Sequence, residues 1–188
     1  DAERALSGAE ASAPQSEEIS PSAWSGASHP MILFDLETTG FSERCDRIIE
    51  IAAIDVATGA RFSRLVHPGD AHVDLQENIV KLTGITPQML LTEGVELRHA
   101  LQAFSSFIEA AVESHGARAR PVMMAHNGSR FDARWLSHWF PECGLERPDN
   151  WLLCDTLTVV KKTAMDGTRR SKAGRPVLDR GKLEVLME

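Results

Sequence analysis

The sequence predicts an α/β domain built on a mixed sheet, and two patterns predict it. Five short apolar runs, at residues 31–34, 48–56, 61–66, 122–125 and 151–154, have the length of strands. Leu97, Leu101, Phe104, Ile108 and Ala111 recur at steps of three and four, which is the stripe of an amphipathic helix. Strands interleaved with helices imply a layered sheet-and-helix core.

The first run leads into Asp35-Leu36-Glu37 and then Thr38-Thr39-Gly40, a buried strand meeting a turn. Thr58-Gly59 separates the second and third runs, so those two form a hairpin. Pro121 introduces the fourth run, Asn127-Gly128-Ser129 breaks it, and a helical pattern resumes between Phe131 and Phe140. The fifth run gives way to a helix from about Thr156. No internal repeat is present.

At 188 residues the chain fits one compact domain with a disordered flank. Hydrophobic residues make up 43% and charged residues 25%, enough apolar material for a core and the balance of a soluble globular protein. No stretch approaches the roughly 20 consecutive apolar residues of a membrane span, so no membrane partner is expected. Cys45, Cys143 and Cys154 are odd in number and scattered; they argue against a zinc ribbon or a disulfide framework and fit a reducing compartment. A net charge of −7 argues against coating nucleic acid by bulk electrostatics, but not against gripping one strand end at a local site.

Residues 1–28 are rich in Ala, Ser, Glu, Gly and Pro without a hydrophobic period, and are expected to be a disordered, acidic leader. The folded domain is expected to occupy 29–188. The chain opens on Asp1, which suggests a processed or trimmed product. An acidic leader has the wrong composition for a transit peptide, so any such peptide is expected to have been removed.

Asp35 and Glu37 stand two apart and so project from one face of a strand. Two carboxylates there repel each other and are costly to desolvate. A divalent cation such as Mg²⁺ or Mn²⁺ would remove that cost; alternatively the strand runs out into solvent and both acids are wet. A second cluster, from Ala125-His126-Asn127-Gly128 to Ser129-Arg130-Phe131-Asp132, has its own local explanation. Ser129 with Asp132 three residues later reads as a capping box at a helix start.

Together the two clusters resemble the motif pair of the DEDDh, or DnaQ-like, 3′–5′ exonucleases. These are Asp-x-Glu-Thr-Thr-Gly after the first strand and His-Asn-Gly-x-x-Phe-Asp after the fourth. The resemblance runs from about Met31 to Glu188. It takes in Arg47-Ile48-Ile49-Glu50-Ile51, Leu82-Thr83-Gly84-Ile85-Thr86 and Cys154-Asp155-Thr156-Leu157. The wording of 34–41 and 125–132 is most similar to the plant organellar exonucleases.

The resemblance implies an RNase H-like fold, a mixed five-stranded sheet with helices on both faces and the site at the strand ends. It implies that Asp35 and Glu37 hold catalytic metal, with Asp132 supporting the second of two Mg²⁺ or Mn²⁺ ions in the complete enzyme. Thr38, Thr39, Gly84, Ile85 and Thr86 would lie against the terminal nucleotide, with Ile85 or a neighbour packing on its base; the bland reading of Ile85 is a core residue beside a Gly turn. His126 and Asn127 belong to the second motif and would face the nucleic acid, His126 in a structural role. Asp155 is explained as a helix N-cap and not as a ligand.

The family's third motif, a general-base His and an Asp completing the first metal site, is not found. No His follows His138, and none of the seven replaces it convincingly. Residues 181–188 look like the opening of the helix that precedes that motif. Either the exonuclease domain is C-terminally incomplete here, or the protein is an inactive exonuclease-fold subunit that binds nucleic acid or builds a larger assembly. In both cases these 188 residues alone are expected to be weak or inactive. A metabolic phosphoesterase on the same fold has no support in the sequence.

The expected partners are single-stranded or frayed 3′ ends of DNA or RNA. Many family members are dimers, so a homodimer or larger assembly is allowed, though no interface signature is visible. The resemblance and the missing start codon suggest a mitochondrial or plastid protein, and otherwise an intracellular one.

Lys161, Lys162, Arg169, Arg170, Lys172, Arg175, Arg180 and Lys182 make a basic segment in an acidic chain. It reads as an arm for the phosphates of the non-scissile strand, or as a solvated loop. On the first reading, replacing Arg169 and Arg170 by Ala flattens the dependence of nucleic-acid binding on salt by about one to two units of log–log slope. An unchanged slope removes the arm.

Overall fold

Alternation sets the first strand, β1 (Met31–Thr38). Ile32, Phe34, Leu36 and Thr38 are buried, while Met31, Leu33 and Asp35 face outward and Glu37 is half-buried. The strand is longer than its apolar run because the period of two persists through the acids. In this computed structural model, which describes residues 29–69, 73–115 and 119–162, two more strands follow, β2 (Ile48–Asp55) and β3 (Arg61–Leu65). The expectations for the leader, the basic segment beyond Lys162 and the stretch 181–188 lie outside the described residues.

The Thr58-Gly59 hairpin forms as expected. Gly59 takes a φ of 72°, and the buried Asp55 accepts bonds from the Ala57 amide (3.0 Å) and the Thr58 hydroxyl (2.7 Å). Two short helices, α1 (Glu77–Thr83) and α2 (Pro87–Glu93), follow in a stretch for which the sequence suggested no element. The amphipathic stripe forms helix α3 (Leu97–His115), and Leu101, Phe104, Ile108 and Ala111 are all buried. Then come β4 (Val122–Ala125), α4 (Asp132–Glu142) and β5 (Leu152–Asp155).

The sheet order is β3-β2-β1-β4-β5. β1 pairs antiparallel with β2 and parallel with β4, so the sheet is mixed and β1 is its centre. β2–β3 is antiparallel and β4–β5 parallel. This is the five-stranded RNase H-like arrangement. Helices α3 and α4 cover the face that carries Ile32, Phe34 and Met123, forming the main core. Asp35 and Glu37 lie on the opposite face. Among the described residues no helix is long and apolar enough to cross a membrane.

Phe104 organises the core. Its ring meets Phe34, Phe62 and Trp151 at centroid distances of 6.0, 5.7 and 5.6 Å, with no exposed surface. Phe104→Ala leaves a cavity between α3 and the sheet and lowers unfolding free energy by about 3–5 kcal/mol. A shift under about 1 kcal/mol in urea denaturation would mean that the core collapses around the gap.

Candidate active site

A register shift between Glu37 and Thr38 ends the regular β1–β2 ladder beside the acids. Beyond it the chain turns through a loop tied by one carboxylate. Asp46 accepts from the Ser42 amide (3.0 Å) and the Thr39 hydroxyl (3.4 Å), and Thr39 Oγ1 accepts from the Arg47 amide (2.9 Å). Gly40 sits against that carboxyl, where a Cβ would come within 2.5 Å of it.

Asp132 reaches the same place from β4. The loop after Ala125 places Asn127 in the left-handed region, φ 60°, which Asn tolerates better than most side chains. Asp155, at the end of β5, holds this loop. Its carboxylate accepts from the amides of Asn127 (3.1 Å) and Ser129 (3.3 Å), the Ser129 hydroxyl (2.5 Å) and the Leu157 amide (3.0 Å). The Ser129 hydroxyl, above all, holds this carboxyl below the usual range. Asp155 is thus the N-terminal cap the sequence suggested and also a clamp on the loop.

The capping-box expectation for Ser129 and Asp132 does not hold. Asp132 is the first residue of α4, Phe131 is its N-cap without a side-chain bond, and the Ser129 hydroxyl is committed to Asp155. Asp132 is 1% exposed, and its Oδ1 has no hydrogen-bond partner. Burial pushes its carboxyl up to about 7, with Asp35 and then Glu37 adding to the rise; its own amide and that of Leu36 offset part of it. Burial also takes Glu37 to about 7, with repulsion from Asp35 and Glu50 behind it. Asp35 touches solvent, yet protein packed around its carboxyl still raises it, Glu50 adding to this while the Leu36 amide and His126 oppose it. The three acids therefore feel one another.

The other expected site residues divide. Thr38 is buried and donates to the Gly40 carbonyl (2.6 Å), so it shapes the turn. Gly84 closes α1 with φ 74°, and Thr86 caps α2 by accepting from the Met89 amide (3.3 Å). Ile85 is only 3% exposed and packs with Ile49 and Leu90, as the core reading beside a Gly turn expects. The exposed neighbours are Leu82 (81%) and Phe41 (90%), the latter edge-on to Phe131 at 6.5 Å. Sequence reasoning singled out neither, although Phe41 directly follows Gly40 and Leu82 stands two residues before Gly84.

His126 is exposed, with Nδ1 3.4 Å from the Thr156 hydroxyl, and among the described histidines only it acts on Asp35. His29 is engaged by the Arg120 backbone, His67 by the Gly69 amide, His99 by Glu96, His115 by the Ala111 carbonyl and His138 by the Trp139 ring.

Hard carboxylate donors and an unpartnered buried oxygen suit a hard divalent cation. Among the described residues no three His, Cys, Asp or Glu side chains form a closed cage. Waters or ligand oxygens would have to complete the shell, which is how Mg²⁺ is usually held.

Known proteins resemble this chain in sequence and in fold. The family model described as exonuclease, RNase T, matches residues 32–179. The chain is 34% identical over 139 residues to Exonuclease DPD1, chloroplastic/mitochondrial, of Arabidopsis thaliana, covering 70% of this chain and 40% of that protein. It is 37% identical over 126 residues to the PolC-type DNA polymerase III of Halalkalibacterium halodurans, covering 67% of this chain and 8% of the polymerase. Product-bound exonuclease I superposes with a TM-score of 0.58 at 23% identity, over 79% of this chain and 34% of that one. The zinc-bound form of an E. coli exonuclease I–ssDNA complex does so with 0.58 at 22%, over 74% and 31%. The chain therefore spans well under half the length of each.

Proposed function

Because this chain belongs to the RNase T exonuclease family, we propose that it trims DNA or RNA from 3′ ends by divalent-metal-dependent hydrolysis, as a DEDDh-type enzyme. The observation that carries this reading is Asp132, buried with an orphaned oxygen and electrostatically joined to Asp35 and Glu37. In this reading Asp35 and Glu37 hold Mg²⁺ or Mn²⁺ from the sheet side and Asp132 from the helix side. The chemistry that two such ions supply is activation of a water and stabilisation of the leaving 3′ oxygen.

The chain's own residues do the positioning. Asp155 fixes the loop that carries His126, Asn127 and Asp132, and Asp46 fixes the loop that carries Thr39 and Phe41. Phe41 and Leu82 offer exposed apolar surface on which a base can stack. Thr38, Gly84 and Thr86 shape the backbone around the terminal nucleotide, and Ile85 supports it from below. The organellar name of the plant relative supports placing this protein in a plastid or mitochondrion.

The second reading, a nucleic-acid-binding subunit without turnover, is favoured by the histidines. Among the described ones only His126 acts on an acid of the site, and it is exposed. A time course on 5′-labelled DNA and RNA strands with Mg²⁺ or Mn²⁺ separates the two. It is run on these 188 residues and on the protein as its gene encodes it. A one-nucleotide ladder from the encoded protein, lost in Asp35→Ala, supports the exonuclease. Silence from both, with strand-end binding intact, favours the subunit.

A further inference from the structure

The carboxylate cluster has a fourth member with no role so far. Glu50 stands directly opposite Glu37 in the β1–β2 ladder, so both side chains leave the sheet on the same face. Like charges directly opposed weaken a sheet, and an unlike pair at this position would strengthen it. Glu50 is half-buried, and its position is set from the far side. The Ser63 hydroxyl on β3 donates a 2.7 Å bond to Glu50 Oε1. The ion pairs found among the described residues join Glu77, Glu96 and Glu43 to other partners, and none of them neutralises Glu50.

Four acids thus crowd the strand end. Repulsion alone would turn Glu37 and Glu50 apart, toward whatever room each has. Ser63 holds Glu50 on the β3 side, so Glu37 is left to lean toward Asp35. The unpartnered Asp132 Oδ1, 1% exposed, independently points to a cation there. Glu50 would then remain a charge close to the cation without having to ligate it.

We propose that Glu50, tethered by Ser63, is a positioning residue that holds Glu37 toward Asp35 and Asp132 and keeps the site electronegative enough to bind divalent cations. This rests on the metal reading of the site. A unit charge a few ångströms from a divalent cation in a water-rich cleft is worth about a factor of ten in affinity.

The test is Mn²⁺ titration calorimetry together with melting in EDTA and in Mn²⁺, for the unaltered protein, Glu50→Gln, Glu50→Asp, Ser63→Ala and Asp132→Asn. Glu50→Gln should melt no lower than the unaltered protein in EDTA, because a repulsion has gone, yet bind Mn²⁺ about tenfold more weakly. Ser63→Ala should fall between the two, and Glu50→Asp should recover part of the affinity by restoring the charge. Unchanged Mn²⁺ affinity in Glu50→Gln overturns the inference. A parallel loss of metal-free stability and affinity also overturns it, because that marks an ordinary structural residue. If the unaltered protein gives no Mn²⁺ response, the metal reading itself fails. If it responds and Asp132→Asn does not, the metal reading stands whatever Glu50 does.

Discussion

Asp132→Asn raises the melting temperature of the metal-free protein and lowers nucleotide release by about a thousandfold. Both effects come from the same burial. The carboxyl is 1% exposed and ionises only near 7, against 3.8 for a free group. Above neutral pH that difference corresponds to on the order of 4 kcal/mol of strain in the folded chain. An amide of the same shape removes the charge but brings an N–H₂ that must find its own partners, so only part of the strain is recovered. With about 2–4 °C per kcal/mol in a domain of this size, the gain is several degrees. The same change removes a donor oxygen on which charge stabilisation at the phosphate depends, a loss on the order of 10³-fold. Scanning calorimetry at pH 8 with EDTA, and a release assay with Mn²⁺ on the protein as its gene encodes it, check both halves. A lower melting temperature would show that Asp132 is satisfied where it stands, and the metal reading would lose its main support.

The second large effect is a decline in metal-free stability from pH 4 to pH 8. Glu37 and Asp132 keep their protons up to about 7 in the folded chain, whereas unfolded they release them near 4.5 and 3.8. Across that window the folded chain binds more protons than the unfolded one, so stability falls as pH rises. The loss begins above about 4 and is complete above about 7. Glu43 and Asp155, held low chiefly by Arg134 and Ser129, work in the opposite sense, but their contribution is complete by about pH 5, just above their unfolded values, so they leave the fall from 5 to 8 untouched. Urea midpoints with EDTA should drop between pH 5 and 8, and Mn²⁺ should restore more at pH 8 than at pH 5. A midpoint that is flat or rising in EDTA contradicts the electrostatics of the site.

The strands and α3 were legible because their signals are local. Alternation carries 31–38 and a five-residue stripe carries α3. Helices α1 and α2 were not legible. Each has seven residues, too few turns for a period to repeat, and only Leu90 among them is fully buried. The acids Asp35, Glu37 and Asp132 could be named from their motifs, but their joining is a matter of topology. The fate of Ser129 was hidden because its partner, Asp155, lies 26 residues away in another strand. Which of Ile85 and its neighbours is buried was hidden for a related reason. The left-handed turn at Gly84 reverses the chain, so Ile85 is tucked onto Ile49 while Leu82 is left outside.

The register shift beside Glu37 also makes the second strand unequally tolerant of lost residues. Thr38 pairs with Ile48 and Glu37 with Glu50, which leaves Ile49 as the surplus residue; it is fully buried and anchors Ile85 and Leu90. Deleting Ile49 would regularise the ladder and keep every later residue on its own face, while unmooring the α1–α2 segment. Deleting any single residue from 51 to 55 would do the reverse. The segment would keep its anchor, but between the deletion and the hairpin the inward and outward residues would exchange places. Length variation in this strand is therefore confined to one position, and there it exchanges sheet regularity for a grip on the loop beside the site.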